Sequence, residues 1–277
     1  MSDDLRELTV LGNRVVYYDR GKGPVLLLLH GMFGDHLDWE PVLEPLSTSF
    51  RVIAPDQPGF GDSDKPDIEY SAEFFVETLH ELVSGLGLTG ITLAGNSFGG
   101  SIAILYSIAH RVSVARLVLV SSGGMRRYSA SDVEQVNLRF SEQNVGALSP
   151  AVQEMMLSPI FGRQSPNRDR YMAKQAAKLG RADFLDYARS LSRAACMAFP
   201  LYLRQRLTEI RCPTLLVWGD ADLVFPPELA HQALAVLQAG KLVLLPGCGH
   251  VPQLDDPKAF AAAVREFAGA PTSFPSA

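Results

Sequence analysis

Cysteine is scarce in this chain of 277 residues: three in all, Cys196, Cys212 and Cys248, widely spaced and without a C-x-x-C pair. An odd, scattered set argues against a disulfide framework and makes a reducing compartment the expectation. Concentrated positive charge is also missing. Lys and Arg total 25 against 30 Asp and Glu, net −5, and no basic block exceeds a pair. That balance speaks against a nucleic-acid partner. Apolar runs such as Val25 to Leu29 are far too short to cross a bilayer, so no membrane partner is expected. The opening residues, Met1-Ser2-Asp3-Asp4, are acidic and polar, unlike a secretory signal. A soluble, cytoplasmic protein is the expectation, monomeric or homodimeric.

A hydrophobic content of 47% suffices for one large core, with or without a small accessory domain. A hairpin is expected first, turning near Gly12-Asn13 and returning through Arg14 to Asp19. Six continuous apolar runs follow: Val25–Leu29, Arg51–Ala54, Ile91–Ala94, Arg116–Val120, Thr214–Trp218 and Lys241–Leu245. Continuous rather than alternating runs fit parallel strands covered on both faces. Helical patterns fill the gaps at about 37–46, 72–86, 98–110, 227–238 and 257–267. Pro227 and Pro257 suit first helical positions, with Asp256 as a cap. The alternation predicts an α/β fold with a mostly parallel central sheet flanked by helices.

From about Gly123 to Ile210 the strands stop and only helical periodicity remains, as in Phe184, Tyr187, Ala188, Leu191 and Ala195. This stretch holds 13 Arg or Lys against 8 Asp or Glu; the remainder holds 12 against 22. We therefore divide the chain into a core of 1–122 and 211–277 and a helical cap of 123–210, inserted after the sixth strand. Such a cap would sit over the carboxyl ends of the strands, where open α/β sheets bind ligands.

Gly95-Asn96-Ser97-Phe98-Gly99 directly follows the run Ile91 to Ala94. It reads as a buried strand turning sharply into a helix, with a serine in a strained backbone conformation at the apex. A hydroxyl held there, beside the first amides of a helix, suits a nucleophile. A serine needs a base, and the base needs a carboxylate to orient it. Of six histidines, His80, His110 and His231 fall in or at the ends of helical patterns, and His30 is placed to shape a turn. His250 lies in the loop after the last strand, on the same sheet edge as Ser97. After the penultimate strand stand Asp220, read as a turn former beside Gly219, and Asp222, further out. The order Ser97, Asp222, His250 is the one expected on such a sheet. Oxyanion donors are the backbone N–H groups of Phe98 and Met32.

These residues, with His30-Gly31 and Trp39, Asp56-Gln57-Pro58-Gly59-Phe60-Gly61-Asp62-Ser63, Gly219 to Asp222 with Pro226, and Gly249-His250, make the chain resemble the α/β-hydrolase superfamily over almost its whole length. The resemblance implies Ser97 as nucleophile, His250 as base, Asp222 as acid, and Phe98 and Met32 as oxyanion donors, with no metal and no organic cofactor. It makes the Asp56–Ser63 segment a structural turn. Serine at the apex, where haloalkane dehalogenases and epoxide hydrolases attack with a carboxylate, points to hydrolysis of a carboxylic ester of a small or medium substrate through an acyl-enzyme. The alternatives are a carbon–carbon bond hydrolase of the meta-cleavage-product type, which Asn96 favours, a cofactor-free perhydrolase, or a slow small-molecule receptor. Against the carbon–carbon reading, His30-Gly31-Met32-Phe33-Gly34 departs from the oxyanion loop of such enzymes, and Val251 stands where they place Trp. Pocket candidates are Phe33, Val224 and Val251 beside the motifs, and Phe161, Tyr187 and Arg193 in the cap. Arg189 and Arg193, helical neighbours, read first as a solvated cationic face, with pairing to an anionic substrate as the alternative. Cys248, two residues from His250, is expected to make the enzyme sensitive to thiol reagents.

Overall fold

The computed structural model describes residues 4–269. Strands β1 (Leu5–Val10) and β2 (Asn13–Arg20) form the expected hairpin, turning at Leu11 and Gly12 with φ of +50° and +77°. Two successive positive φ values match the right-handed twist of the paired strands. Strands β3 (Val25–Leu29), β4 (Arg51–Pro55), β5 (Ile91–Asn96), β6 (Val114–Val120), β7 (Thr214–Gly219) and β8 (Gly240–Leu245) complete one eight-stranded sheet. Its order is β1-β2-β4-β3-β5-β6-β7-β8, with β2 antiparallel to both neighbours and the rest parallel.

Strand side chains alternate between two cores. Leu27, Leu29, Leu93, Leu117, Leu119 and Leu216 face one layer; Leu26, Leu28, Val52, Val118, Val120 and Val217 face the other. The first is covered by α2 (Ala72–Gly85) and α3 (Phe98–Ala109) through Phe75, Leu79, Ile102 and Tyr106. The second is covered by a short turn at His36–Trp39, α1 (Glu40–Ser47) and the carboxyl-terminal helix described below, through Trp39, Leu46, Phe260 and Val264. Full burial of each leucine is worth about 1.5–3 kcal/mol. Strand β8 departs from the expectation of two covered faces. It forms the sheet edge, and Leu244 is 36% exposed. An apolar run does not encode where its strand falls in the sheet.

Between β6 and β7 lie α4 (Ala130–Arg139), α5 (Glu142–Gly146), α6 (Pro150–Leu157), α7 (Pro166–Lys178) and α8 (Phe184–Ala198), with no strand among them. Helix α8 buries Tyr187, Ala188, Leu191 and Ala195 of the helical pattern in the first core, with Phe184 half-buried against it. The charge asymmetry is matched at this junction. Lys178 pairs with Asp35 at 2.8 Å, Arg181 with Asp62 at 2.9 Å and Arg193 with Asp67 at 2.8 Å, each linking a cationic insert side chain to an acidic one of the body. After β7 come α9 (Pro227–Leu234), α10 (Pro252–Asp255) and α11 (Pro257–Gly269). Pro227 and Pro257 open their helices, and Asp256 Oδ1 accepts the Ala259 N–H at 3.0 Å. Among the described residues, no helix is long and apolar enough to cross a membrane.

Candidate active site

Ser97 joins β5 to α3 with φ 51° and ψ −113°, a conformation costly for a residue with a side chain. The flanking glycines explain how the chain tolerates it. A Cβ on Gly95 would run into the backbone of Gly99 and Gly100, and one on Gly99 into the carbonyls of Leu29 and His30. The turn is pinned from both sides: Ser97 N–H donates to Val120 O at 3.0 Å, and Ser97 O accepts from Gly100 at 3.0 Å and Gly123 at 2.8 Å. Phe98 begins α3, so its N–H is among those a helix leaves without an internal partner. Gly31 lies so close that an added Cβ would sit 3.6 Å from the Ser97 Cβ, and Met32 shares a pocket with Ser97 and Phe98.

His30 sets the course of that neighbouring loop. Its Nδ1–H donates to Gly31 O at 2.8 Å, and its Nε2 accepts the Gln57 N–H at 3.0 Å. Burial pushes its pKa down, which keeps the ring neutral. Asp56 is equally structural, accepting from the His36 backbone at 2.7 Å, the His36 ring at 2.8 Å and Asp62 N–H at 2.8 Å.

Asp222 and His250 are both buried and meet at 3.0 Å between Oδ2 and Nδ1. The other Asp222 oxygen accepts the N–H groups of Val224 and Phe225 at 2.9 Å each. Phe225 stands edge-on to the imidazole, 5.1 Å between ring centres. Asp220 accepts the Gly247 N–H at 2.6 Å, which is the turn-forming part expected of it. Asn96 Nδ2 donates to Val120 O at 3.0 Å and to His250 O at 3.1 Å, a support for the histidine loop that the motif alone did not reveal.

Ser97 and His250 open into one cavity of about 360 Å³. Of the sequence candidates, Met32, Phe33, Val224 and Val251 line it. The insert contributes Val136 and Arg139 from α4, Phe140 just beyond it, Met156 and Leu157 from α6, and Phe199 beyond α8. Phe161, Tyr187 and Arg193 lie elsewhere. Phe161 packs behind Val251 with its ring 5.4 Å from that of Tyr171. Tyr187 packs against Phe60, 6.3 Å between centres. Arg193 is held by Asp67 at 2.8 Å and Glu142 at 3.1 Å, and Arg189 by Asp186 at 3.1 Å.

Two charged residues line the cavity, Asp38 and Arg139, and neither was singled out in the sequence. Asp38 is buried, with its carboxyl group packed against Gly34. Burial, reinforced by the charge of Asp35, pushes its pKa up to about 8. Cys248 is fully buried, and desolvation raises its thiol to about 11, so the expected thiol sensitivity has no reactive thiolate behind it.

Asp35, His36 and Asp56 place three potential metal-ligating atoms within 4.8 Å of one another. These atoms are already engaged. His36 Nδ1 is bound to Asp56, and the Lys178 ammonium, 2.8 Å from Asp35, supplies the cation. The donor set fits an internal ion-pair network better than a metal centre.

A doubly covered parallel sheet, a serine on a strained strand-to-helix turn and a carboxylate-bound histidine on the next loops define the α/β-hydrolase class. A family model described as "Alpha/beta hydrolase family" matches residues 26–263, and the chain belongs to that family and is a hydrolase. It is 31% identical over 271 residues to an uncharacterized protein of Mycobacterium tuberculosis, covering 94% of this chain and 79% of the relative. A 2-hydroxy-6-oxo-6-(2'-aminophenyl)hexa-2,4-dienoic acid hydrolase of Metapseudomonas resinovorans is 28% identical over 256 residues, covering 91% and 86%. Among solved structures, a thermophilic esterase from Thermogutta terrifontis superposes with a TM-score of 0.82 at 26% identity, covering 96% of this chain and 98% of that one.

Proposed function

We propose that the protein hydrolyses carboxylic esters of small or medium acyl and alcohol groups, with Ser97 as nucleophile, His250 as general base and Asp222 as its orienting acid. The observation that carries this reading is the 3.0 Å contact of Asp222 with His250, which lines the same cavity as Ser97. His250 Nε2 takes the Ser97 proton as Oγ attacks the ester carbonyl, and Asp222 holds the imidazole with Nδ1–H directed at the carboxylate. The oxyanion is met by the N–H groups of Phe98 and Met32, donors whose individual loss costs about 10²–10³-fold in rate. His250 then protonates the departing alcohol, and water releases the acyl group by the same route in reverse. The insert of residues 123–210 serves as the lid, its α4 and α6 closing the cavity with Val136, Phe140 and Met156.

A carbon–carbon hydrolase is the second reading. It is favoured by the Metapseudomonas resinovorans relative, named as a hydrolase of 2-hydroxy-6-oxo-6-(2'-aminophenyl)hexa-2,4-dienoic acid. Turnover of p-nitrophenyl esters from acetate to dodecanoate by wild type and Ser97→Ala separates the two. Fast turnover that Ser97→Ala abolishes supports the esterase, and the preferred chain length sizes the cavity. Slow turnover at every length, with cleavage of a vinylogous diketo acid, transfers the weight to the carbon–carbon hydrolase.

A further inference from the structure

We propose that Asp255 is a positioning residue that fastens the helical insert to the loop carrying His250, so that the histidine is held in place partly by the insert. The inference rests on the serine-hydrolase reading above, in which His250 is the base. Asp255 ends α10 and is 5% exposed. A single oxygen, Oδ2, accepts two backbone N–H groups from separate parts of the chain: Gly249 at 2.7 Å and Gly162 at 2.9 Å. Gly249 immediately precedes His250, whereas Gly162 belongs to the insert, between α6 and α7.

The two segments touch backbone to backbone. His250 N–H donates to Ile160 O at 2.7 Å. A Cβ on Gly249 would lie 2.5 Å from Gly162 N and 2.7 Å from the Phe161 carbonyl carbon; one on Gly162 would lie 2.5 Å from Gly249 N. Both positions therefore need glycine for close approach rather than for backbone freedom. Such an approach leaves the Gly249 N–H buried, with the partly buried Gly162 N–H beside it, and a buried donor without a partner is costly. One carboxylate oxygen satisfies both. Arg163 reinforces the junction from outside, donating to Gly247 O at 3.2 Å and to Pro246 O, and pairing with Asp256 at 3.7 Å.

His250 is thus fixed at three backbone points: its N–H by the insert, its carbonyl by Asn96, and the preceding N–H by Asp255. The first depends on residues 160–162 staying where they are, and the Asp255 oxygen that makes the third also holds Gly162. An insert that only covered the cavity would influence which substrates enter. One that also supports the histidine sets the rate of chemistry, including for esters too small to touch α4 or α6.

The test uses p-nitrophenyl acetate and the full chain, assayed well below each variant's Tm. Asp255→Ala is expected to lower kcat by at least about 10-fold with KM little changed, the signature of a displaced catalytic group. Asp255→Asn retains one acceptor oxygen and is expected to fall between Ala and wild type. Gly162→Ala, which separates the two backbones while keeping the Asp255 carboxylate, is expected to reproduce the kcat loss. Wild-type kcat in Asp255→Ala, whatever its Tm, overturns the proposal. Should Asp255→Ala fail to fold, wild-type kcat in both Asp255→Asn and Gly162→Ala overturns it instead. Should wild type lack ester turnover and resist a fluorophosphonate, the esterase reading fails, and the fastening is read by amide hydrogen exchange. Joint loss of protection at 160–162 and 249–250 in Asp255→Ala then supports it; loss in one segment alone overturns it.

Discussion

Oδ2 of Asp222 lies 3.0 Å from Nδ1 of His250, and Oδ1 of the same carboxylate accepts two backbone N–H groups at 2.9 Å each. The carboxylate cannot rotate without orphaning donors, so the imidazole meets a fixed acceptor. Asp222→Asn keeps the shape but turns an amide toward Nδ1, and the ring must then carry its proton on Nε2, facing the serine. In the serine-hydrolase reading this is expected to lower kcat by about 10⁴-fold, with KM and Tm changing far less. Steady-state kinetics with p-nitrophenyl butyrate checks it. A loss below tenfold would mean that Asp222 does not orient the base.

Asn96 supports the same histidine from the other side. Its Nδ2 reaches Val120 O and His250 O, and the side chain is fully buried. Asn96→Ala takes that donor from the His250 carbonyl, at about 1–3 kcal/mol for a buried group left unsatisfied, whereas Val120 O keeps the Ser97 N–H. A lower Tm together with a lower kcat is expected, measured by thermal unfolding and ester turnover. Asn96→Asp supplies no donor and is expected to do no better than alanine. Rescue by Asp would show that packing alone matters.

The elbow was legible in the sequence because its constraints are local: Gly95 and Gly99 are needed by backbone atoms a few residues away or on the adjacent strand. The strands were legible because apolar runs covered on both faces leave few other structures open to them. The pocket was not. Helical periodicity says which residues of α8 share a face, but not what that face meets, so it cannot tell that Tyr187 and Arg193 lie away from the cavity. Tyr187 faces Phe60 of the body, and Arg193 faces Asp67. Asp38, next to Trp39, reads as an ordinary polar residue until α7 brings Tyr171 and Lys178 over it. Val136 and Arg139 sit on a short, polar helix that Phe140 follows, and their place at the cavity follows from packing alone.

Asp38 makes stability depend on pH. Its carboxyl group faces Asp35 and the Gly31–Gly34 loop on its own segment, and Lys178 and Tyr171 on α7. Burial and the Asp35 charge raise its pKa to about 8 in the folded chain, against about 3.9 in an unfolded one. Between those values the folded state holds a proton that the unfolded state has released. Its contribution to stability is therefore full at low pH and is lost as pH rises through the window. Asp38→Asn, neutral throughout, lacks this slope. Thermal unfolding from pH 5 to pH 9 is expected to show wild type falling progressively behind Asp38→Asn. Parallel curves would mean that Asp38 ionises in the fold without cost.

Arg139 is the cation at the cavity. It lies on the exposed side of α4, with its guanidinium 6.0 Å from the centre of the Phe140 ring. Arg189 and Arg193 are instead committed to carboxylates of Asp67, Asp186 and Glu142. An ester with a free carboxylate at its far end would therefore meet Arg139 in a cavity whose other charged lining residue is Asp38. Exposed charge pairs are worth about 0–1 kcal/mol, which limits the preference to about fivefold. Arg139→Ala is expected to reduce kcat/KM for mono-p-nitrophenyl succinate by a few-fold, about 3–5, and to leave p-nitrophenyl butyrate unchanged. Added salt should narrow the difference between the two esters in wild type, because screening weakens exposed charges. The double variant Arg189→Ala with Arg193→Ala should leave the ratio as it is. A shift in that double variant and none in Arg139→Ala would return anion recognition to the two arginines of α8.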